Sequence, residues 1–186
     1  VTCIAAVAGE DGTVYMGGDS AGIDSRLDLG IHAETKVWRS GPALFGACGS
    51  FRVAQLIRNK MHVPTYEPGD DVWPYLVGPF IDAMRESLAM GGALAQWLED
   101  ANESMFGSFV VAVGGRVFEM YEDFGVGELV HGYAAVGCGA PMAVGSLATT
   151  EHLRVGPKRR VELALEAAER HSGGVRGPMH IEKLPA

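Results

Sequence analysis

Cysteine is scarce in this chain: three residues, Cys3, Cys48 and Cys138, scattered over its length. That is too few for a disulfide framework and lacks the paired spacing of a zinc site, so small buried side chains in a reducing cytoplasm are the expectation. Histidine gives no HExxH and no close pair at ligand spacing, so neither a metal nor another cofactor is expected. Positive charge is also short, with 15 Lys and Arg against 23 Asp and Glu and a net charge of -8. The one tight basic cluster, Lys158-Arg159-Arg160, is followed by Glu162 and Glu166. A nucleic-acid surface needs a concentrated positive field, so that class is excluded. No apolar run reaches bilayer-spanning length, and the first residues lack a basic-then-apolar leader pattern. A cytoplasmic protein without a membrane partner is therefore expected.

What is present is an ordinary globular composition: 186 residues, 47% hydrophobic and 20% charged, enough for one domain over 1–186. Alternating and apolar runs predict strands at 2–8 and 13–19 around a Gly9–Gly12 turn, then at 34–39 and 43–48 after an irregular stretch over 20–33. The period then changes. Phe51, Ala54, Ile57 and Met61 mark one face of a helix, and a second helix over 72–90 carries a kink at Gly78-Pro79. Strands resume at 106–113, 116–122, 128–131 and 134–137, followed by helices at 140–150 and 157–171 and a last strand at 178–184. Blocks of antiparallel strands alternating with helix pairs imply an α+β fold, a four-layer αββα sandwich of two stacked, mainly antiparallel sheets flanked by helices.

Chemistry concentrates near the start. A threonine hydroxyl is a poor nucleophile and needs a base within hydrogen-bond reach. An α-amino group on the same residue supplies one, because its ordinary pKa of about 7.7–8.0 leaves a neutral fraction near pH 7. Thr2 meets that requirement only as the first residue, after loss of Val1. Lys36 beside the nucleophile would favour the neutral amine and a more acidic hydroxyl, and Asp19 beside Lys36 would hold it charged and in place.

Thr2-Cys3-Ile4, Val14-Tyr15-Met16-Gly17-Gly18-Asp19 and Lys36-Val37 resemble the opening of proteasome β subunits and of the peptidase subunit of the bacterial two-component ATP-dependent protease. The resemblance continues, in order, through Leu44-Phe45-Gly46, Gly137-Cys138-Gly139 with Met142-Ala143-Val144-Gly145, and Glu169-Arg170-His171-Ser172-Gly173-Gly174. It implies an N-terminal-nucleophile hydrolase that cleaves peptide bonds. Thr2 would attack, Asp19 and Lys36 would support it, Gly46 N–H would stabilise the oxyanion, and Glu169 and Ser172 would assist the threonine. It also implies a homo-oligomer, in a ring, with an ATPase partner open. The sequence departs from the family pattern in three ways. Asp19 and Lys36 lie one and two residues further from Thr2 than usual, Cys138 replaces a serine, and Glu169 replaces an aspartate.

Val1 leaves two explanations standing, a removed initiator position or the remnant of a longer propeptide. It also leaves two rival functions: a catalytically silent assembly subunit that keeps Val1, and an amidase or acyltransferase acting on a small molecule. Gly18-Asp19-Ser20-Ala21-Gly22 matches G-x-S-x-G, but no helix is expected after Ser20, so it is not read as a nucleophile elbow. Cys3 as a nucleophile would require loss of both Val1 and Thr2. Trp73, Tyr75 and Trp97 are candidates for subunit contacts or for core packing.

Overall fold

The strand β1 (Ile4–Ala8) has no polar face, and the structure shows why. In this computed structural model, which describes residues 1–24, 26–96 and 103–186, Ile4 and Ala6 point into a core between two sheets. Ala5 and Val7 point the opposite way, into a second core beneath helices. Strand β9 (Gly107–Val113) divides in the same manner: Val110 and Ala112 face the intersheet core, while Phe109, Val111 and Val113 face a third one. A strand buried on both faces must be apolar on both, which turns the period-two signal into a continuous run.

Those three cores separate four layers. One sheet has the order β12-β1-β2-β13, with β2 at Val14–Gly18, β12 at Tyr133–Val136 and β13 at His180–Leu184. It is covered by α4 (Ala140–Glu151) and α5 (Pro157–His171). The other has the order β11-β10-β9-β6-β5, with β5 at Val37–Ser40, β6 at Ala43–Gly49, β10 at Arg116–Met120 and β11 at Val126–Glu128. It is covered by α1 (Phe51–Lys60), α2 (Val72–Tyr75) and α3 (Ile81–Met90). The strand pairings within both sheets are antiparallel, so the αββα sandwich is observed.

Several details differ from the sequence expectation. The stretch read as irregular holds a small hairpin, β3 (Ala21–Ile23) with β4 (Leu29–Ile31), and a second two-stranded pair, β7 (Ala95–Gln96) with β8 (Glu103–Ser104), follows α3. The strand expected at 128–131 runs earlier, over Val126–Glu128, where Phe118 pairs with Glu128. Helix α1 buries Val53, Leu56 and Ile57 against the sheet, Met61 follows them into the core, and Phe51 and Ala54 border a cleft. The kink at Gly78-Pro79 is a wide turn over Leu76–Phe80, where Gly78 leaves helical geometry at φ -110°, ψ -106°. Tyr75 is buried in the core, Trp73 is exposed, and Trp97 lies outside the described residues. Among the described residues no helix is long and apolar enough to cross a membrane.

Candidate active site

The two sheets bring one end of each together. Register Ile4↔Gly18 between β1 and β2 sets Cys3 beside Asp19, and the Cys3 N–H donates to Asp19 Oδ1 at 3.0 Å. The Gly9–Gly12 turn closes this hairpin, with Gly9 N–H donating to Thr13 O at 2.7 Å. Lys36 arrives from the other sheet, just ahead of β5. Its Nζ donates to Asp19 Oδ1 at 2.8 Å and to Thr2 Oγ1 at 2.9 Å, with Val1 O at 3.5 Å. Thr2, Asp19 and Lys36 are all buried, Asp19 completely. Asp19 Oδ2 accepts from Ala21 N–H at 3.0 Å and Arg176 N–H at 3.4 Å, so four donors surround the carboxylate. Such saturation is what lets a charge stay inside a protein.

The remaining expected residues fall into two groups. Ser172 caps α5 at its C-terminus, and its Oγ lies 3.4 Å from Cys138 Sγ. That sulfur accepts from the Thr2 nitrogen at 3.4 Å, so Ser172 reaches the threonine through Cys138. Glu169 does not face Thr2. Its Oε1 accepts from Gly177 N–H at 2.8 Å, and it fixes the turn whose Arg176 N–H serves Asp19. Ser20 is fully buried with its hydroxyl donating to Pro178 O at 2.7 Å, so the G-x-S-x-G match presents no free hydroxyl.

Gly46 lies away from the cleft. It sits between the sheets, where an added Cβ would stand 2.4 Å from Ile4 Cγ2 and 2.8 Å from Met16 Sδ. It therefore permits sheet stacking and does not line the cleft beside Thr2. Gly49, at the end of β6, does line it. Its φ of +108° and the backbone of Gly107, 2.6 Å from where a Cβ would be, exclude a side chain. The signal in the sequence was its place immediately before Ser50, the N-cap of α1 whose side chain accepts from Val53 N–H. Gly46→Ala is expected to destabilise by about 1–3 kcal/mol through overpacking, read as a lowered denaturation midpoint.

The cleft holds about 240 Å³. Trp38, Ala47 and Ala54 give it apolar walls, and His32, Glu34 and Arg58 give it polar ones. Arg58 donates to Thr35 O at 3.1 Å and lies over the Trp38 ring. Cys48 also lines the cleft and is half-buried, not the sealed core residue expected. Burial raises its thiol pKa. Burial and then the neighbouring Asp19 charge push Cys3 up to about 12. The three cysteines thus gather around Thr2, and no group suited to a metal occurs among the described residues.

Comparisons with solved structures recover this fold at full length. The chain is similar to Thiobacillus denitrificans BPH, with a TM-score of 0.80, 16% identity, and 98% of this chain and 97% of that one covered. The same protein in complex with epoxomicin gives a TM-score of 0.78 at 16% identity, with 98% of both chains covered. Eukaryotic HslV from Trypanosoma brucei gives 0.71 at 16% identity, with 99% of each chain covered. No family model matches the chain, and no curated protein matches it in sequence. At this identity the likeness shows the fold alone, and that fold is the four-layer αββα sandwich expected from the sequence.

Proposed function

We propose that the chain is a threonine-type peptidase that works through an acyl-enzyme, with Thr2 as nucleophile once Val1 is removed. The observation that carries this reading is the buried Lys36 Nζ held between Asp19 Oδ1 and Thr2 Oγ1. An ammonium there lowers the cost of negative charge on the hydroxyl oxygen and keeps a nearby amine in its neutral form. The freed Thr2 amine takes the hydroxyl proton as Oγ1 attacks the peptide carbonyl carbon. The Gly49 N–H is assigned to the oxyanion in place of Gly46. The tetrahedral intermediate collapses to an ester on Thr2, the departing amine takes up the proton, and water then hydrolyses the ester.

Cys138 positions the Thr2 nitrogen, Ser172 supports Cys138, and Glu169 acts at one remove through the Arg176–Gly177 backbone. The cleft with Trp38 and Ala47 would take a substrate side chain next to the scissile bond. A cytoplasmic homo-oligomer, in a ring and with an ATPase partner, belongs to the same reading through the family resemblance alone.

A specific observation favours the silent-subunit reading as second. Val1 Cγ1 lies 1.9 Å from where a Cβ on Gly174 would stand, so that glycine makes room for Val1. Thr2 Oγ1 donates to the Val1 carbonyl. Intact mass and N-terminal sequencing of the untagged protein from its native host decide between them. A chain beginning at Thr2 that hydrolyses a fluorogenic peptide is the expected result. A chain that keeps Val1 and lacks hydrolysis establishes the silent subunit, and hydrolysis confined to small-molecule amides establishes the amidase.

A further inference from the structure

Cys138 differs from the other two thiols of the chain in what can reach it. Cys3 is fully buried, Cys48 is half-buried, and Cys138 is exposed in the loop between β12 and α4. Its sulfur lies 3.4 Å from the Thr2 nitrogen, 3.5 Å from Thr2 O and 3.4 Å from Ser172 Oγ. The loop is tied to the same residue, with Gly139 N–H donating to Thr2 O at 3.2 Å. A hydroxyl here would only donate and accept hydrogen bonds. A thiol adds two-electron chemistry, and its nearest nitrogen is the one that the proposed mechanism uses as base.

We infer that Cys138 is a peroxide-modifiable site whose oxidised form closes a sulfur–nitrogen bond to Thr2 and so switches the nucleophile off reversibly. The inference rests on the reading of Thr2 as the first residue of the working enzyme. In the first step the Cys138 sulfur attacks a peroxide oxygen. An S–O bond forms, the O–O bond breaks, one water leaves, and sulfur is oxidised by two electrons to the sulfenic acid. In the second the Thr2 amine attacks that sulfur. An S–N bond forms, the S–O bond breaks, and the amine proton departs with the hydroxyl as water. A low-molecular-weight dithiol reverses the change by attacking sulfur, releasing the amine and becoming a disulfide.

The bond removes the base in two ways: the nitrogen lone pair is drawn towards sulfur, and the Thr2 backbone is pinned to the 137–139 loop. Burial of Cys3 and partial burial of Cys48, which raise both thiols, leave the exposed sulfur as the accessible target. A disulfide between Cys48 and Cys138 is the competing product, since Cys48 also borders this site.

The test uses the chain that begins at Thr2, verified by mass, treated with hydrogen peroxide under native conditions and digested without reductant. The expected product has lost about 2 Da, joins the Thr2 and Cys138 peptides, and reverts with dithiothreitol. It forms in Cys48→Ser and not in Cys138→Ser. Peptide hydrolysis, scaled to each variant's untreated sample, falls in proportion to the cross-linked fraction. The inference is overturned if Cys138 stays unmodified, if it stops at sulfenic or sulfinic acid without the cross-link, or if the 2 Da loss disappears in Cys48→Ser. Hydrolysis before peroxide treatment reports separately on the peptidase reading, and the mass readout stands without it.

Discussion

Thr2→Ala, in a chain that begins at residue 2, is expected to lower kcat/KM for peptide hydrolysis by at least about 10³-fold, with kcat taking the loss. The substitution removes one oxygen, and that oxygen is the atom Lys36 Nζ approaches at 2.9 Å. Substrate binding in the cleft depends on other residues, Trp38 and Ala47 among them, so KM should change little. The fold should survive. Lys36 loses one acceptor but keeps Asp19, a loss of about 1–3 kcal/mol at most. Thr2→Ser retains the hydroxyl and should retain measurable turnover, which separates loss of the nucleophile from damage to the site. Ser20→Ala is the paired control. Its hydroxyl is committed to Pro178 O, so its removal costs stability and leaves kcat within a few-fold. Abolition of activity by Ser20→Ala with survival of Thr2→Ala would sink the threonine reading. The kinetics are read with a fluorogenic peptide under initial-rate conditions.

Residues whose role depends on local backbone geometry were easiest to read from sequence. The hairpin that places Asp19 beside Cys3 follows from two apolar runs around a Gly-rich turn, and the layer order follows from strand and helix blocks. Thr2, Asp19 and Lys36 come together because one arises from each end of that hairpin and one from the facing sheet. Residues whose role depends on which way a strand faces were harder. Gly46 and Gly49 lie on the same strand, and only the stacking of Ile4 and Met16 over Gly46 reveals which one leaves the cleft. Of the face expected by period, Ile57 and Met61 are buried in the core and Ala54 packs at its edge, while Phe51 at the start of α1 is exposed beside the cleft. Cys138 was expected to be a small buried side chain, and its contact with the Thr2 nitrogen, 136 positions away in sequence, emerges only from the fold. Glu169 matches a motif position, but the contact it makes, with Gly177 N–H, is a backbone one that no motif encodes.

The Asp19–Lys36 pair should separate stability from activity. Breaking a buried pair from one side leaves the other charge without compensation, typically about 3–5 kcal/mol. The two sides are not equivalent here. After Lys36→Met, Asp19 still accepts from the N–H groups of Cys3, Ala21 and Arg176. After Asp19→Ala, Lys36 keeps Thr2 Oγ1 and the distant Val1 carbonyl as its acceptors among the described residues, and the three backbone donors around Asp19 lose their acceptor as well. Asp19→Ala should therefore be the more destabilising change, and denaturant midpoints at neutral pH measure the difference. Activity should rank differently. Lys36→Met removes the ammonium that contacts Thr2 Oγ1 and is expected to cost kcat at least about 10²-fold while the protein remains folded. The double variant Asp19→Ala with Lys36→Met should recover stability relative to Asp19→Ala alone, because no ammonium is left buried without a carboxylate, and should recover no activity. Equal stability losses for the two single variants, or wild-type turnover in folded Lys36→Met, would show that the pair holds the sheets together without serving Thr2.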